Sequence, residues 1–133
     1  MSKRASIFVG CVCAVIAVVV VLVAHSLSLN PLRQSEPSLR SWILNKAPLG
    51  SSPKAVVALI SNRDWTKSYE WTGKANDLSE KFYPGVKGVH IIGADLGYYN
   101  SLPWGRVDID AYWGFDADDK LVDFRVRKMV GAL

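Results

Sequence analysis

Three patterns of apolar and polar positions divide this chain. Residues 5–24 form a continuous run without a charge or a proline. Residues 38–62 carry apolar side chains at spacings of three and four, whereas residues 107–126 alternate between apolar and polar. These periods predict a long apolar helix, then two amphipathic helices, then strands near the end of the chain.

The apolar run predicts where the protein is located. At about 1.5 Å per residue, a helix over residues 5–24 would span the roughly 30 Å hydrocarbon core of a bilayer. The preceding flank, residues 1–4, contains Lys3 and Arg4 and is expected to stay in the cytoplasm. We therefore expect a single-pass signal-anchor helix in the plasma (inner) membrane, with the bilayer as one binding partner.

The rest of the chain is then predicted to lie outside that membrane. Residues 25–37 contain two prolines and no sustained period, which indicates a linker. Residues 38–133 follow as one exported domain. Small residues at the end of the apolar run leave an alternative, a secreted or periplasmic protein formed by signal cleavage near Ser26.

Capping residues place the two amphipathic helices. Ser38 can cap a first helix that stops before Pro48, and Ser52 can cap a second in which Pro53 takes the first helical position. Residues 63–88 have a weaker pattern that fits a short strand or extended segment. Residues 88–96 are predicted to form a strand, and residues 97–106 an aromatic-rich loop.

The alternating segment predicts a β-hairpin in one register. Apolar side chains then face each other on one side of the hairpin, and charged or polar ones do so on the other side. The pairs that this register places opposite one another are Phe115 with Val122, Trp113 with Phe124, Ala111 with Val126, Tyr112 with Arg125 and Asp110 with Arg127. A slip of one residue would bring charges into the core, so the register is strongly specified. The element order indicates an α+β domain.

Composition excludes several classes of function. Of the 16 basic residues, Lys3 and Arg4 precede the apolar run, which leaves 14 against 12 acidic residues, a net charge of +2 that is too mild to argue for nucleic acid, and the acidic residues are interleaved with the basic ones. Both cysteines, Cys11 and Cys13, lie in the apolar run, so the exported part has no disulfide and no thiol ligand. The acidic turn over residues 116–119 lacks the glycine and glutamate of an EF-hand. No metal and no cofactor are predicted.

The candidate catalytic residues do not form a recognisable set. Asp108 and Asp110 would stand roughly 6 to 7 Å apart on one strand face, a separation found in inverting glycosidases. Nothing in the sequence marks either carboxyl as desolvated, and His90 has no nucleophile motif beside it. The prediction is a non-catalytic protein without catalytic residues, and a hydrolase using Asp108 and Asp110 is a weaker alternative.

Aromatic residues provide the candidate binding surface. Such side chains can anchor a protein interface, stack on sugar rings, or seal the core of a small domain. The candidate partner-binding residues are Tyr98, Tyr99, Trp104, Tyr112 and Arg125. Tyr112 occupies one of the polar positions of its alternating strand, so it is the residue of this set that is hardest to explain as part of the core.

Two short segments resemble a known family. Residues 49–56 (LGSSPKAV) resemble the small-residue turn and helix start of the SmpA/OmlA lipoproteins of outer-membrane assembly. The hairpin of residues 113–122 (WGFDADDKLV) is similar to the closing strands of those lipoproteins and to the related modules of beta-lactamase inhibitor protein. The resemblance implies a two-layer domain, two helices on an antiparallel sheet of about three strands, that binds another protein. We therefore expect an envelope protein that binds a protein partner in an assembly, inhibitor or immunity role, with a cell-wall or glycan-binding module as the alternative.

Overall fold

The computed structural model describes residues 3–28, 30–73, 85–103 and 105–131, with the side chains of residues 11–25 in the first of these ranges. The chain divides into two compact units, Met1–Arg33 and Gln34–Leu133. The first unit contains the helix α1 (Lys3–Ser28) and a short 3-10 turn at Pro31–Arg33. The second unit contains all the other helices and strands described below.

The structure corrects the prediction of a membrane anchor. In the part of the chain that the structure describes, no helix is both long enough and apolar enough to cross a membrane. The transmembrane helix over residues 5–24 and the single-pass inner-membrane location are therefore wrong.

Two capped helices begin the second unit. The helix α2 spans Glu36–Leu44, and α3 spans Pro53–Asn62. Ser52 caps α3 as predicted, because its hydroxyl accepts the backbone N–H of Ala55 at 3.2 Å. Ser35, and not Ser38, caps α2: its hydroxyl accepts the N–H of Ser38, so Ser38 already lies in the first turn.

In the described part of the chain, four antiparallel strands form one sheet, where the resemblance implied about three. They are β1 (Thr66–Thr72), β2 (His90–Ser101), β3 (Gly105–Phe115) and β4 (Leu121–Val130), and they lie side by side in chain order. The additional strand is β1, in the stretch whose pattern was weakest. Chain-order pairing places β1 and β4 at the two edges.

The strand β2 is longer than predicted because it contains a β-bulge. Its register against β3 shifts between Asp95 and Gly97, after which pairing continues to Ser101. Gly97 has a φ of 107°. A bulge inserts one residue without ending the ladder, so the glycine marks a bulge and not the start of a loop. Tyr98 and Tyr99, expected in a loop, are therefore strand residues on opposite faces.

The predicted register of the hairpin is confirmed except at the end next to the turn. Trp113 faces Phe124 and Ala111 faces Val126, while Tyr112 faces Arg125 and Asp110 faces Arg127. Phe115 faces Leu121 and not Val122, since the register shifts between Gly114 and Phe115. The Leu121 backbone is also tied to residues 50 and 51, by bonds of 2.8 Å from the Gly50 N–H and 2.9 Å to the Ser51 carbonyl.

The core lies between the helices and one face of the sheet. Its fully buried side chains include, from the helices, Leu39, Ile43 and Val56 and, from the strands, Ile92, Ile109, Trp113, Phe115 and Phe124. The rings of Trp113 and Phe124 stand 5.1 Å apart. The Trp113 indole N–H is buried and has no hydrogen-bond acceptor among the described residues, which costs about 1–3 kcal/mol.

The shifted end of the hairpin gives a direct test of this register. Leu121 is 1% exposed and Val122 is 45% exposed. We expect Leu121→Ala to lower the free energy of unfolding by about 2–5 kcal/mol, because it leaves a cavity in the core. Val122→Ala, the matched control, should cost less than about 1 kcal/mol. Both are measured by urea denaturation, and a larger loss for Val122→Ala would contradict the register.

Candidate functional site

Among the described residues, one face of the sheet carries no helix. Along β3, inward side chains such as Ile109 and Trp113 are fully buried against α2 and α3, while Asp108, Asp110 and Tyr112 are only half-buried. Because side chains alternate along a strand, these three residues lie on the opposite side. We call this helix-free side the outer face.

An aromatic row crosses the centre of the outer face. Register places Tyr69 of β1, Gly93 of β2, Tyr112 of β3 and Arg125 of β4 next to one another. A Cβ atom at Gly93 would lie 3.2 Å from the Tyr112 ring and 3.4 Å from the Tyr69 Cβ. The glycine therefore lets the Tyr112 ring lie flat against the strand beside Tyr69. Trp71, two residues further along β1, widens this aromatic surface.

A charged row runs beside the aromatic one. Asp95 faces Asp110, and Arg127 faces Asp110 from the other side. Burial, and next the negative charge of Asp95, raise the pKa of the Asp110 carboxyl. The Tyr112 hydroxyl donates to Asp110 Oδ2 at 3.3 Å, and burial raises the Tyr112 pKa as well. The two rows are thus joined by a tyrosine–aspartate contact at the centre of the face.

The periphery of the outer face carries an ion pair stacked on an aromatic ring. Arg106 Nη2 lies 2.6 Å from Asp108 Oδ1, and the hydrogen bond to Asp108 raises the pKa of Arg106. The same guanidinium lies 3.9 Å from the centre of the Tyr98 ring. Tyr98 is 53% exposed, so this stack is open to solvent.

One end of the outer face is covered by the segment that leads into β2. A Cβ atom at Gly114 would lie 1.9 Å from the Lys87 carbonyl oxygen, so only glycine allows this approach. The Lys87 N–H also donates to Asp123 Oδ2 at 3.0 Å. Among the described residues, the part of the face that this segment leaves uncovered lies beyond Gly114, around Tyr112 and Asp110.

The structure brings together three of the five predicted binding residues. Tyr98, Tyr112 and Arg125 share the outer face. Tyr99 lies on the other side, where its hydroxyl is 3.4 Å from Lys128 Nζ. Trp104 lies outside the described residues. The pair Asp108 and Asp110 does share a face, but Asp108 is engaged by Arg106.

Several outer-face residues were missed in the sequence. Tyr69 and Trp71 alternate with polar residues over Thr66–Thr72, which was the available signal for a strand. Their position next to Gly93 and Tyr112 could not be read from the sequence, because it depends on the register between β1 and β2. Asp95 was missed for the same reason, since the register between β2 and β3 is what places it opposite Asp110.

A second cluster surrounds His90 at the other side of the sheet. His90 Nε2 lies 3.0 Å from Glu70 Oε1, and Nδ1 lies 3.8 Å from Asp119 Oδ1. Hydrogen bonds from Lys67 and then from His90 lower the pKa of Glu70. A cavity of about 470 Å³ lies here, lined by Thr72, Gly73, Val89, His90, Asp116, Ala117 and Asp119.

The contacts of His90 point to a structural role. Both ring nitrogens face carboxylates, which link β1 and the turn after β3 to β2. Acyl transfer would need a nucleophile and an oxyanion donor set against the imidazole. Among the described residues, no group of three or more His, Cys, Asp or Glu side chains is arranged to hold a metal ion.

Comparisons with known proteins found no relative of this chain. No family model, no curated protein and no solved structure matches it. The likeness of residues 49–56 and 113–122 to the SmpA/OmlA lipoproteins and beta-lactamase inhibitor protein modules therefore stays a prediction.

The raised pKa of Asp110 predicts that the substitution Asp110→Asn increases the stability of the fold in a pH-dependent way. Ionising a group whose folded pKa is raised costs stability above its unfolded pKa, which is about 3.9 for aspartate. The variant should be more stable than the wild type at pH 7, by less than about 1 kcal/mol because solvent screens the site. The gain should disappear below about pH 3, where both states are protonated.

The melting temperature of each protein is measured by circular dichroism at pH values from 2.5 to 8. Asp118→Asn serves as the control, because Asp118 lies exposed in the turn between β3 and β4. A melting temperature for Asp110→Asn below that of the wild type at pH 7 would contradict the account of this site.

Proposed function

We propose that this chain is a non-catalytic protein-binding domain and that the outer face is its binding surface. The observation that carries the proposal is the aromatic row of Tyr69, Gly93, Tyr112 and Arg125 on a sheet face that neither α2 nor α3 covers. A sheet with helices on one side alone buries one face in the core and presents the other to its surroundings.

The chemistry of the row fits the centre of a protein interface. Tyrosine, tryptophan and arginine are the residues most enriched at interface positions that dominate binding energy. Tyr69, Trp71 and Tyr112 are half-buried, so their rings are held by neighbours yet remain in part accessible. Rings that are already ordered lose little conformational entropy when a partner covers them.

The charges around the row favour a selective partner. Asp95, Asp110 and Asp123 alternate on this face with Arg106, Arg125 and Arg127, and Arg125 Nε lies 3.7 Å from Asp123 Oδ2. Charges placed around a binding surface give orientation and selectivity more than raw affinity. An inhibitor, immunity or assembly role, as the resemblance implies, would use a surface of this kind.

A glycan-binding module is the second candidate, and the Tyr112–Asp110 contact favours it. A tyrosine face can stack on a sugar ring while a neighbouring carboxylate accepts its hydroxyls. A hydrolase using Asp108 and Asp110 has less support, since Asp108 is held by Arg106 at 2.6 Å.

Site-specific photocrosslinking in the native host tests the proposal. With a benzophenone side chain at position 112 of the full chain, we expect a defined covalent adduct with one protein, identified by mass spectrometry. The control carries the same group at Val57, an exposed position of α3. Adducts that are equal at both positions, or absent at position 112, would count against the outer face.

The captured partner then allows a quantitative test. We expect Tyr112→Ala to weaken its binding roughly tenfold or more, as for the central aromatic residue of an interface. Tyr99→Ala is the matched control, because Tyr99 points to the other face. Binding is measured by isothermal titration calorimetry on variants with native circular dichroism spectra. Sedimentation with purified peptidoglycan that is lost in Tyr112→Ala would instead support the glycan-binding alternative.

A further inference from the structure

A short segment lies across one end of the outer face without being part of a strand. We call this segment, residues 85–88, the strap. A Cβ atom at Gly114 of β3 would lie 1.9 Å from the Lys87 carbonyl oxygen and 3.0 Å from the Val86 Cγ1. The Lys87 N–H reaches β4, where it donates to Asp123 Oδ2 at 3.0 Å. The strap therefore covers the outer side of β3 and β4 at this end of the sheet.

An aliphatic side chain lies next to the strap on the same face. Ile91 pairs with Gly114, whereas Ile92, the next residue of β2, pairs with Trp113 and belongs to the core. Because side chains alternate along a strand, Ile91 is directed to the outer face. Its exposed fraction is only 1%. The strap, which lies directly on Gly114, thus shields apolar surface on the proposed binding face.

The strap has few attachments to the sheet. Among the described residues, the Lys87 N–H forms the one hydrogen bond that joins the strap to the strands, and its acceptor is a side chain. Asp123 also lies 3.7 Å from Arg125 Nε, so this carboxylate keeps a cationic neighbour when the Lys87 N–H leaves. The strap begins at Gly85 and ends at Gly88, with φ angles of 85° and 140°. Glycine changes φ at little cost, so both residues are suited to act as hinges.

We propose that the strap is a movable cover of the binding surface, which opens as a unit about Gly85 and Gly88 and exposes Ile91 beside the aromatic row. The Val89 N–H bonds to the Phe115 carbonyl at 2.8 Å, which keeps the start of β2 in place directly after the second hinge. Local openings of this kind are drawn from segments with few hydrogen bonds.

The cover regulates the surface described above, so its regulatory role rests on the proposed function, whereas the movement itself does not. A partner that contacts Ile91 binds the open state alone. Its apparent affinity is then reduced in proportion to the fraction of molecules whose strap is open. A change that opens the strap should therefore strengthen binding without adding any contact.

Two alanine substitutions test the movement, since each pushes the strap away from a different side. Gly114→Ala places a Cβ atom 1.9 Å from the Lys87 carbonyl oxygen, and Gly88→Ala places one 2.7 Å from the Phe115 carbonyl oxygen. NMR spectra of the isoleucine methyl groups of the full chain are recorded with a water-soluble nitroxide. We expect the paramagnetic relaxation of the Ile91 methyl to rise in both variants, because solvent then reaches it.

The core provides the internal control for this measurement. Ile92 and Ile109 have no exposed surface, and their methyl groups should stay shielded from the nitroxide. Gly131→Ala is the matched variant, because its Cβ atom would lie 3.5 Å from the Arg106 carbonyl oxygen, an ordinary contact. Exposure of Ile91 over a shielded core in either variant supports the proposal. It is overturned if neither variant gives this result, as when Ile91 becomes exposed only together with the core, or if Gly131→Ala gives an equal rise.

Crosslinking from position 112 then tests the regulatory role. Gly88→Ala is used here because it leaves every side chain of the outer face unchanged, and the yield of the adduct should rise about threefold or more. An open strap without a higher yield would overturn the regulatory role. Absence of any adduct in both chains would overturn the proposed binding surface and the regulation with it, while the movement of the strap, measured on Ile91, would stand.

Discussion

The inward side chains of β3 pack against α2 and α3, and the chemistry of the rest of the domain depends on this packing. Ile109, Trp113 and Phe115 have no exposed surface. Because side chains alternate along a strand, burying these residues places Asp108, Asp110 and Tyr112 on the outer face. A shift by one residue would bring the carboxylates into the core, where desolvating an ion costs several kcal/mol. The position of the candidate binding residues is therefore a consequence of how the core is filled.

The helices α2 and α3 lie on one face of the sheet, and the other face carries the proposed binding surface. On the outer face, Tyr69 and Tyr112 flank Gly93, and a Cβ atom at this glycine would lie only 3.2 Å from the Tyr112 ring. Arg125 lies on the outer face, where its Nε is 3.7 Å from Asp123 Oδ2.

Local patterns predicted well those elements that depend on neighbours in sequence. Ser52 caps α3, and four of the five predicted cross-strand pairs are present. Predictions failed where a bulge, a competing cap or a distant contact decided the outcome. The bulge at Gly97 turned a predicted loop into strand, and Ser35 replaced Ser38 as the cap of α2. Leu121 took the place of Val122 because its backbone bonds to residues 50 and 51, a contact without any local signal. The apolar run over residues 5–24 led to a membrane anchor that the described helices do not provide.

The sequence by itself determined the α+β order of elements, the period of each strand and the polar parity of Tyr112, because these follow from side-chain spacing along one segment. It did not determine which aromatic residues act together. Tyr98 and Tyr99 are neighbours in the chain and lie on opposite faces, while Tyr69 and Tyr112 are far apart in the chain and meet across Gly93. The tertiary structure decided this grouping, since the register between strands depends on packing, bulges and helix caps that are contributed by distant parts of the chain.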